Sequence, residues 1–269
     1  MSLTIGGGPL AANSDAERNY SVEAPARQML FQPYPRRMRA IASDRVVLDS
    51  LHGHLLHQTG ALPELYFPYE DFDSELLERS DTATECRLRG HVSYWSVHLD
   101  GMTLPDAIWS YEQPPAGYEW LRGQLAIDFD APDMWLCEDE RLFGHLRDPY
   151  HRVDVFESSR EVTVRMGEQT IARSRRPRLL YETGLPVRAY LPATDVQAGL
   201  LWPSATRTIC PYKGEAWHWT LRLQGEEVED AAWSYETPLP EAFAIRGCLC
   251  FYDAKLSVEL AEPSARFTL

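Results

Sequence analysis

Ala232-Trp233-Ser234-Tyr235-Glu236 restates Ile108-Trp109-Ser110-Tyr111-Glu112, which lies 124 residues earlier, and the correspondence runs well beyond these five positions. Ser50, Thr59, Gly60, Tyr66, Pro68, Cys86, Gly90 and Trp95 return at the same offset as Ser174, Thr183, Gly184, Tyr190, Pro192, Cys210, Gly214 and Trp219. Agreement at about a third of the positions over roughly eighty residues marks the duplication of one module. A chain of 269 residues is therefore read as two domains of ordinary size. Module one is placed at 35–138 and module two at 151–269. The linker between them, 139–150, contains Asp148-Pro149, which enforces an extended or turned backbone. Residues 1–34 read as a mobile tail.

Within each module the hydrophobic period is that of strands. Val162 and Val164 alternate with polar neighbours, and Glu215, Trp217, Trp219, Leu221 and Leu223 share one face of a long strand. Gln224-Gly225 supplies a turn before the strand that carries Trp233 and Tyr235, so this region reads as an antiparallel hairpin. Pro240 suits a first helical turn and Gly247 a left-handed cap, which predicts a short helix over Glu241 to Arg246. A second single turn is expected over Asp195 to Leu201, and over Asp71 to Leu77, with each aspartate as N-cap. The fold class is mainly β: two tandem modules of antiparallel sheets with one or two short helices each.

The charge balance, 26 basic against 40 acidic residues for a net −14, argues against a broad nucleic-acid or anionic-membrane surface. No apolar run approaches the ~20 residues that span a bilayer. Five cysteines without C-x-x-C spacing point to a reduced, cytoplasmic setting, and no signal peptide is expected at the N-terminus.

The densest chemistry lies in Thr206-Arg207-Thr208-Ile209-Cys210-Pro211-Tyr212-Lys213-Gly214-Glu215-Ala216. A strand ends near Cys210, a tight loop follows, and the next strand opens with Glu215 on the face of Trp217 and Trp219. A carboxylate on that apolar side is suited to proton transfer, or else forms a structural ion pair with Lys213. Module one has His91 in place of Glu215, which reads either as a lost site or as a different chemical role, and loss is favoured because the loop's proline and tyrosine are also missing. Cys210 is a candidate nucleophile, but burial as a small apolar residue explains it more simply. Trp233 and Tyr235 serve either the fold or the wall of a small-molecule pocket. The run His52-x-His54-x-x-His57 answers to Arg176-x-Arg178-x-x-Tyr181, a solvated-edge pattern, so no metal site is assigned.

The motifs Tyr190-x-Pro192, Cys210-Pro211-Tyr212-Lys213-Gly214-Glu215-Ala216 and Asp230-Ala231-Ala232-Trp233-Ser234-Tyr235-Glu236-x-Pro238 resemble the domain-of-unknown-function family 427. The linker Asp148-Pro149-Tyr150-His151-Arg152-Val153-Asp154-Val155 is similar to the tandem bacterial form of that family. The resemblance implies a β-tent, a pair of packed antiparallel sheets, here without the zinc knuckles of other β-tents. A nucleotidyltransferase label sometimes attached to the family finds no Gly-Ser phosphate loop or spaced metal-binding aspartates here, and is discounted.

The functional expectation is a small-molecule-binding protein, an enzyme using acid/base chemistry in module two without a cofactor. Glu215 would transfer the proton, Lys213 would hold an anionic group, and Cys210 would stand beside them. Tyr212, Trp219, Trp233 and Tyr235 would bind the ligand. The alternative is a non-catalytic ligand-binding or interaction module. No nucleic-acid or membrane partner is expected, and the two modules are expected to pack as an internal pseudo-dimer.

Overall fold

The structure, a computed structural model, describes residues 27–262 together with residues 17 and 19. Of the tail expected over residues 1–34, residues 1–26 otherwise lie outside the described residues. The chain divides into two compact units between Asp148 and Pro149, inside the stretch read as linker. Both units are β-structures of two antiparallel sheets each, with short 3-10 turns as their helical content.

In module two the larger sheet has seven strands in the spatial order Val153–Glu157, Arg178–Glu182, Arg188–Pro192, Cys248–Phe251, Glu226–Ser234, Gly214–Leu223, Leu201–Cys210. The smaller sheet has three, Gln169–Ser174, Val162–Met166 and Ser257–Leu260. Module one repeats the seven-stranded order from Met29–Pro33 to Leu77–Cys86 and adds a fourth strand, Glu140–Leu142, to its smaller sheet.

Two stretches thus change their sequence assignment. Met29–Pro33, given to the tail, pairs with His54–Gln58 and is the counterpart of Val153–Glu157. Glu140–Leu142, given to the linker, pairs with Met134–Cys137. Both are short edge strands whose identity rests on a partner distant in sequence, so neither shows a long alternating pattern of its own.

The central strands are buried on consecutive residues because both faces of the large sheet are covered. One parity, with Leu191, Leu221, Ala232, Leu249 and Phe251, packs on Val162, Val164 and Ile171 of the small sheet. The other parity, with Leu180, Tyr190, Trp233, Tyr235 and Cys250, packs on Ala242 and Ile245. These last two come from a six-residue 3-10 turn, Pro240–Ile245, with proline in its first turn and Gly247 beyond it at φ +66°. The turn expected from Pro240 and Gly247 is therefore present. It is too short to cover its whole face of the sheet, and the uncovered part is where the chemistry collects.

The second turns differ from expectation. Ala193–Asp195 and Tyr69–Asp71 end on the aspartate instead of starting from it, and no side chain caps either one. Asp195 accepts a hydrogen bond from Ser174 Oγ at 2.7 Å, and Asp71 accepts one from Ser50 Oγ at 2.5 Å. The carboxylate in each copy ties the turn to a strand end 21 residues earlier.

Candidate functional site

The loop between strands Leu201–Cys210 and Gly214–Leu223 is held from both sides. Lys213 N donates to Cys210 O at 3.3 Å, and Leu239 N donates to Lys213 O at 3.0 Å. Gly214 closes the loop at φ +101°, where a Cβ would come within 3.2 Å of Thr237 O. Only glycine meets both demands, a left-handed backbone and a close approach by another chain segment. Fixed in this way, the loop turns Lys213 inward.

The Lys213 ammonium lies 2.5 Å from Glu182 Oε2, and His151 Nε2 lies 2.9 Å from Glu182 Oε1. The three side chains are 11%, 8% and 4% exposed, so Lys213, Glu182 and His151 form a buried polar row. Burial by itself would raise the Glu182 carboxyl. The bonds from His151 and Lys213 outweigh it and hold the group below the usual glutamate range.

Lys213 and Glu182 form one wall of a hollow of about 260 Å³ on the face that the Pro240–Ile245 turn leaves open, with His151 behind Glu182. Cys210, Thr208, Trp233, Tyr235, Tyr190 and Arg188 also line it. Trp233 Nε1 donates to Tyr190 OH at 3.0 Å, which fixes the indole edge. Arg188 is paired with Asp253 at 2.8 Å, and its guanidinium carbon lies 6.0 Å from the Trp233 ring centroid. Burial pushes the Tyr190 and Tyr235 phenols well up, so both stay protonated as donors at neutral pH.

Thr208 Oγ1 lies 3.0 Å from His218 Nε2. His218 is buried, stacks on Tyr252 at 6.2 Å, and has no hydrogen-bond partner for Nδ1 among the described residues. Burial pulls its pKa below the ordinary 6.5, so the imidazole is neutral at pH 7. A neutral base thus stands directly behind a hydroxyl in the wall of the hollow.

Of the residues singled out in the sequence, Cys210, Lys213, Trp233 and Tyr235 are brought together in this hollow. Glu215, Tyr212 and Trp219 do not line it. Glu215 does share a face with Trp217, Trp219 and Leu221, but it sits at the exposed end of that face, opposite Ile209. Trp219 packs into the core between the sheets and donates from Nε1 to Ser234 Oγ at 3.0 Å. Tyr212 lies beside His151, with ring centroids 4.1 Å apart.

The acid that meets Lys213 is Glu182, which had not been singled out. The signal available for it was the internal comparison, since module one has Gln58 at that position. Thr208, His218, Tyr190 and Arg188 were likewise not weighed. In module one, Arg89 replaces Lys213 and pairs with Glu64 at 2.8 Å, while its guanidinium also donates to Tyr66 OH. The acid has moved one strand across the sheet, from the position of Arg188 to that of Gln58. Tyr94 stands where module two has His218, and its hydroxyl meets Thr84 Oγ1 at 2.9 Å. A hollow in module one, about 150 Å³, is lined mainly by apolar groups such as Leu62, Trp109, Phe129 and Trp135, with most of its lining residues at positions that do not correspond to the hollow of module two.

The histidine run of module one does not converge. His52 meets Asp71, His54 stacks on Phe31, and His57 meets Gln32. Among the described residues no three His, Cys, Asp or Glu side chains are grouped to hold a metal ion. All five cysteines are free, and no helix among the described residues is long and apolar enough to cross a membrane.

The model of the domain of unknown function DUF427 matches residues 30–138 and again residues 154–262, so the chain belongs to that family as two tandem copies. No curated protein matches it.

Proposed function

We propose that module two binds a small molecule in the hollow beside Lys213 and acts on it by acid–base chemistry. The carrying observation is the buried Lys213–Glu182 pair set in the wall of an open aromatic hollow. A buried ion pair contributes little to stability relative to apolar packing, so stability alone is a weak reason for its presence. The volume lies below the ~300–1,000 Å³ of sites for drug-sized ligands, which favours a small metabolite over a dinucleotide. Trp233 offers a ring face, while Lys213 and Arg188 offer donors for a carboxylate or a developing oxyanion.

The proton acceptor in this reading is His218, working through the Thr208 hydroxyl. Glu215, the acceptor expected from the sequence, is not part of it. Cys210 keeps its place as a wall residue beside Lys213. A cytoplasmic setting accompanies the proposal, supported by the five free cysteines. The non-catalytic alternative draws support from Glu182, which is held ionised by two donors and so has no proton to give at neutral pH.

A thermal-shift screen with small carboxylates and ring-bearing metabolites tests the proposal, followed by NMR of each stabilising compound over time. Stabilisation that Lys213→Met abolishes supports binding, and consumption of the compound that His218→Phe stops supports catalysis. Binding without consumption selects the non-catalytic reading. If no compound stabilises the protein, or Lys213→Met responds as the wild type does, the hollow is not the site.

A further inference from the structure

A second concavity of module two carries a different chemistry. It encloses about 630 Å³ and is lined by Arg175, Arg176, Arg178 and Arg246, with Glu157 as the one acid in its wall. Four guanidinium groups around one groove stand out in a chain of net charge −14. Ser158 and Ser159 add hydroxyl groups at the rim.

The ion pairs here leave a surplus of positive charge. Arg175 shares Glu161 with Arg173, Arg176 meets Asp195, and Arg178 meets Glu157. Among the described residues Arg246 has only a backbone acceptor, donating from Nε to Glu236 O at 3.1 Å. Five arginines therefore face three carboxylates. The Arg175 and Arg176 side chains are 78% and 67% exposed and Glu157 is 83% exposed, whereas Glu161 and Asp195 are only 23% and 15% exposed, so the Arg178–Glu157 pair is the one whose acid stands free in solvent. An incoming anion can displace the exposed Glu157 from Arg178 at small cost, and Arg246 has no carboxylate to give up among the described residues.

Module one closes the same place. The position of Ala244 is held there by Trp120, which stacks on Phe31 at 4.7 Å, while Phe31 stacks on His54 at 4.8 Å. His54 is the counterpart of Arg178, and His52 that of Arg176. Where one copy has a layer of stacked rings, the other has an exposed alanine and arginines around a void. Bracing of strand edges by the arginines does not by itself account for an alanine where the other copy has the ring of Trp120.

We propose that this groove is an anion site for phosphate monoesters. The planar guanidinium fork matches two phosphate oxygens at once, and a dianion answers the local surplus of charge. Arg178 and Arg246, both in the wall of the groove, hold the phosphate, and the space left by Ala244 admits the rest of the molecule. The proposal is independent of the hollow beside Lys213.

Phenyl phosphate and inorganic phosphate are the probes, titrated by calorimetry and ³¹P NMR at fixed ionic strength, with phenol as the uncharged control. Saturable binding of phenyl phosphate is expected, with no binding of phenol. Ala244→Trp, which copies module one, and Arg246→Gln should each weaken it at least tenfold with the melting temperature retained. Should Ala244→Trp fail to fold, Arg246→Gln carries the test alone. Absence of saturable binding, or undiminished binding in the folded variants, overturns the proposal, and binding of inorganic phosphate alone narrows the ligand to the free ion and overturns the monoester.

Discussion

Lys213→Met keeps the aliphatic stem of the side chain and removes its charge, which leaves Glu182 buried with His151 as its remaining partner. Breaking a buried pair by deleting one member costs about 3–5 kcal/mol, because the other charge stays desolvated. Side-chain exposures of 11% and 8% place this pair in that class, and the surviving His151 bond puts the expected loss near the lower end, about 3 kcal/mol. For a domain of this size that is a fall of roughly 12 °C, taking about 4 °C per kcal/mol. Scanning calorimetry at pH 7 should show it.

Glu182→Gln alone should cost a similar amount, since it strands the ammonium. The double variant should lose markedly less than the two single losses together, with a coupling of about 2 kcal/mol. The pH dependence follows from the depressed Glu182 carboxyl. Its stabilisation is complete above the ordinary glutamate range and is lost as pH falls through the lower folded value. Without Lys213 the folded value rises, so the stability lost on acidification should be smaller and should end at a higher pH. A single-variant cost under about 1 kcal/mol, or full additivity in the double variant, would refute the idea that the pair is buried and mutually dependent.

His218→Tyr copies Tyr94 of module one and removes a neutral buried imidazole. The folded pKa of His218 is depressed below 6.5, by burial first and by Lys255 and Arg207, against the opposing charge of Asp230. Its stabilisation is therefore present above 6.5 and lost on acidification, so the urea midpoint of the variant should fall less than that of the wild type between pH 7.5 and pH 5.5. Gly214→Ala should cost about 1–3 kcal/mol. Gly225→Ala, also at positive φ but with nothing within 4 Å of the added Cβ, should cost less in the same denaturation series. Glu215→Gln should change stability by less than about 0.5 kcal/mol and leave any ligand-induced thermal shift intact; loss of that shift would return Glu215 to the site.

Much of the fold was legible because its signals are local. The duplication shows in residue identities at one offset, the strands in a period of two, and the turn over Pro240–Ile245 in a proline at its start and a glycine at its end. These properties depend on neighbours a few residues away, so they survive in a one-dimensional reading. The edge strands Met29–Pro33 and Glu140–Leu142 were missed because an edge strand is defined by its partner.

The loop Cys210 to Gly214 could be recognised as the centre of the chemistry for the same local reason, as could the importance of Trp233 and Tyr235. What surrounds them could not. Alternation tells which residues of one strand share a face, but not which face of the next strand joins it. That phase is set by pairing register, which places His218, and not Trp219, opposite Trp233. Once the register is known, Glu215 and Trp219 fall on the far face, and Thr208 and His218 come round to the hollow. The partner of Lys213 lies 31 residues back, on a strand separated from it by most of the width of the sheet order. Sequence by itself determined the two modules, their β character and the loop that carries the ammonium. Tertiary structure decided which acid meets that ammonium and which rings wall the space, because a charge pair in low dielectric depends on distance through space and not on separation along the chain.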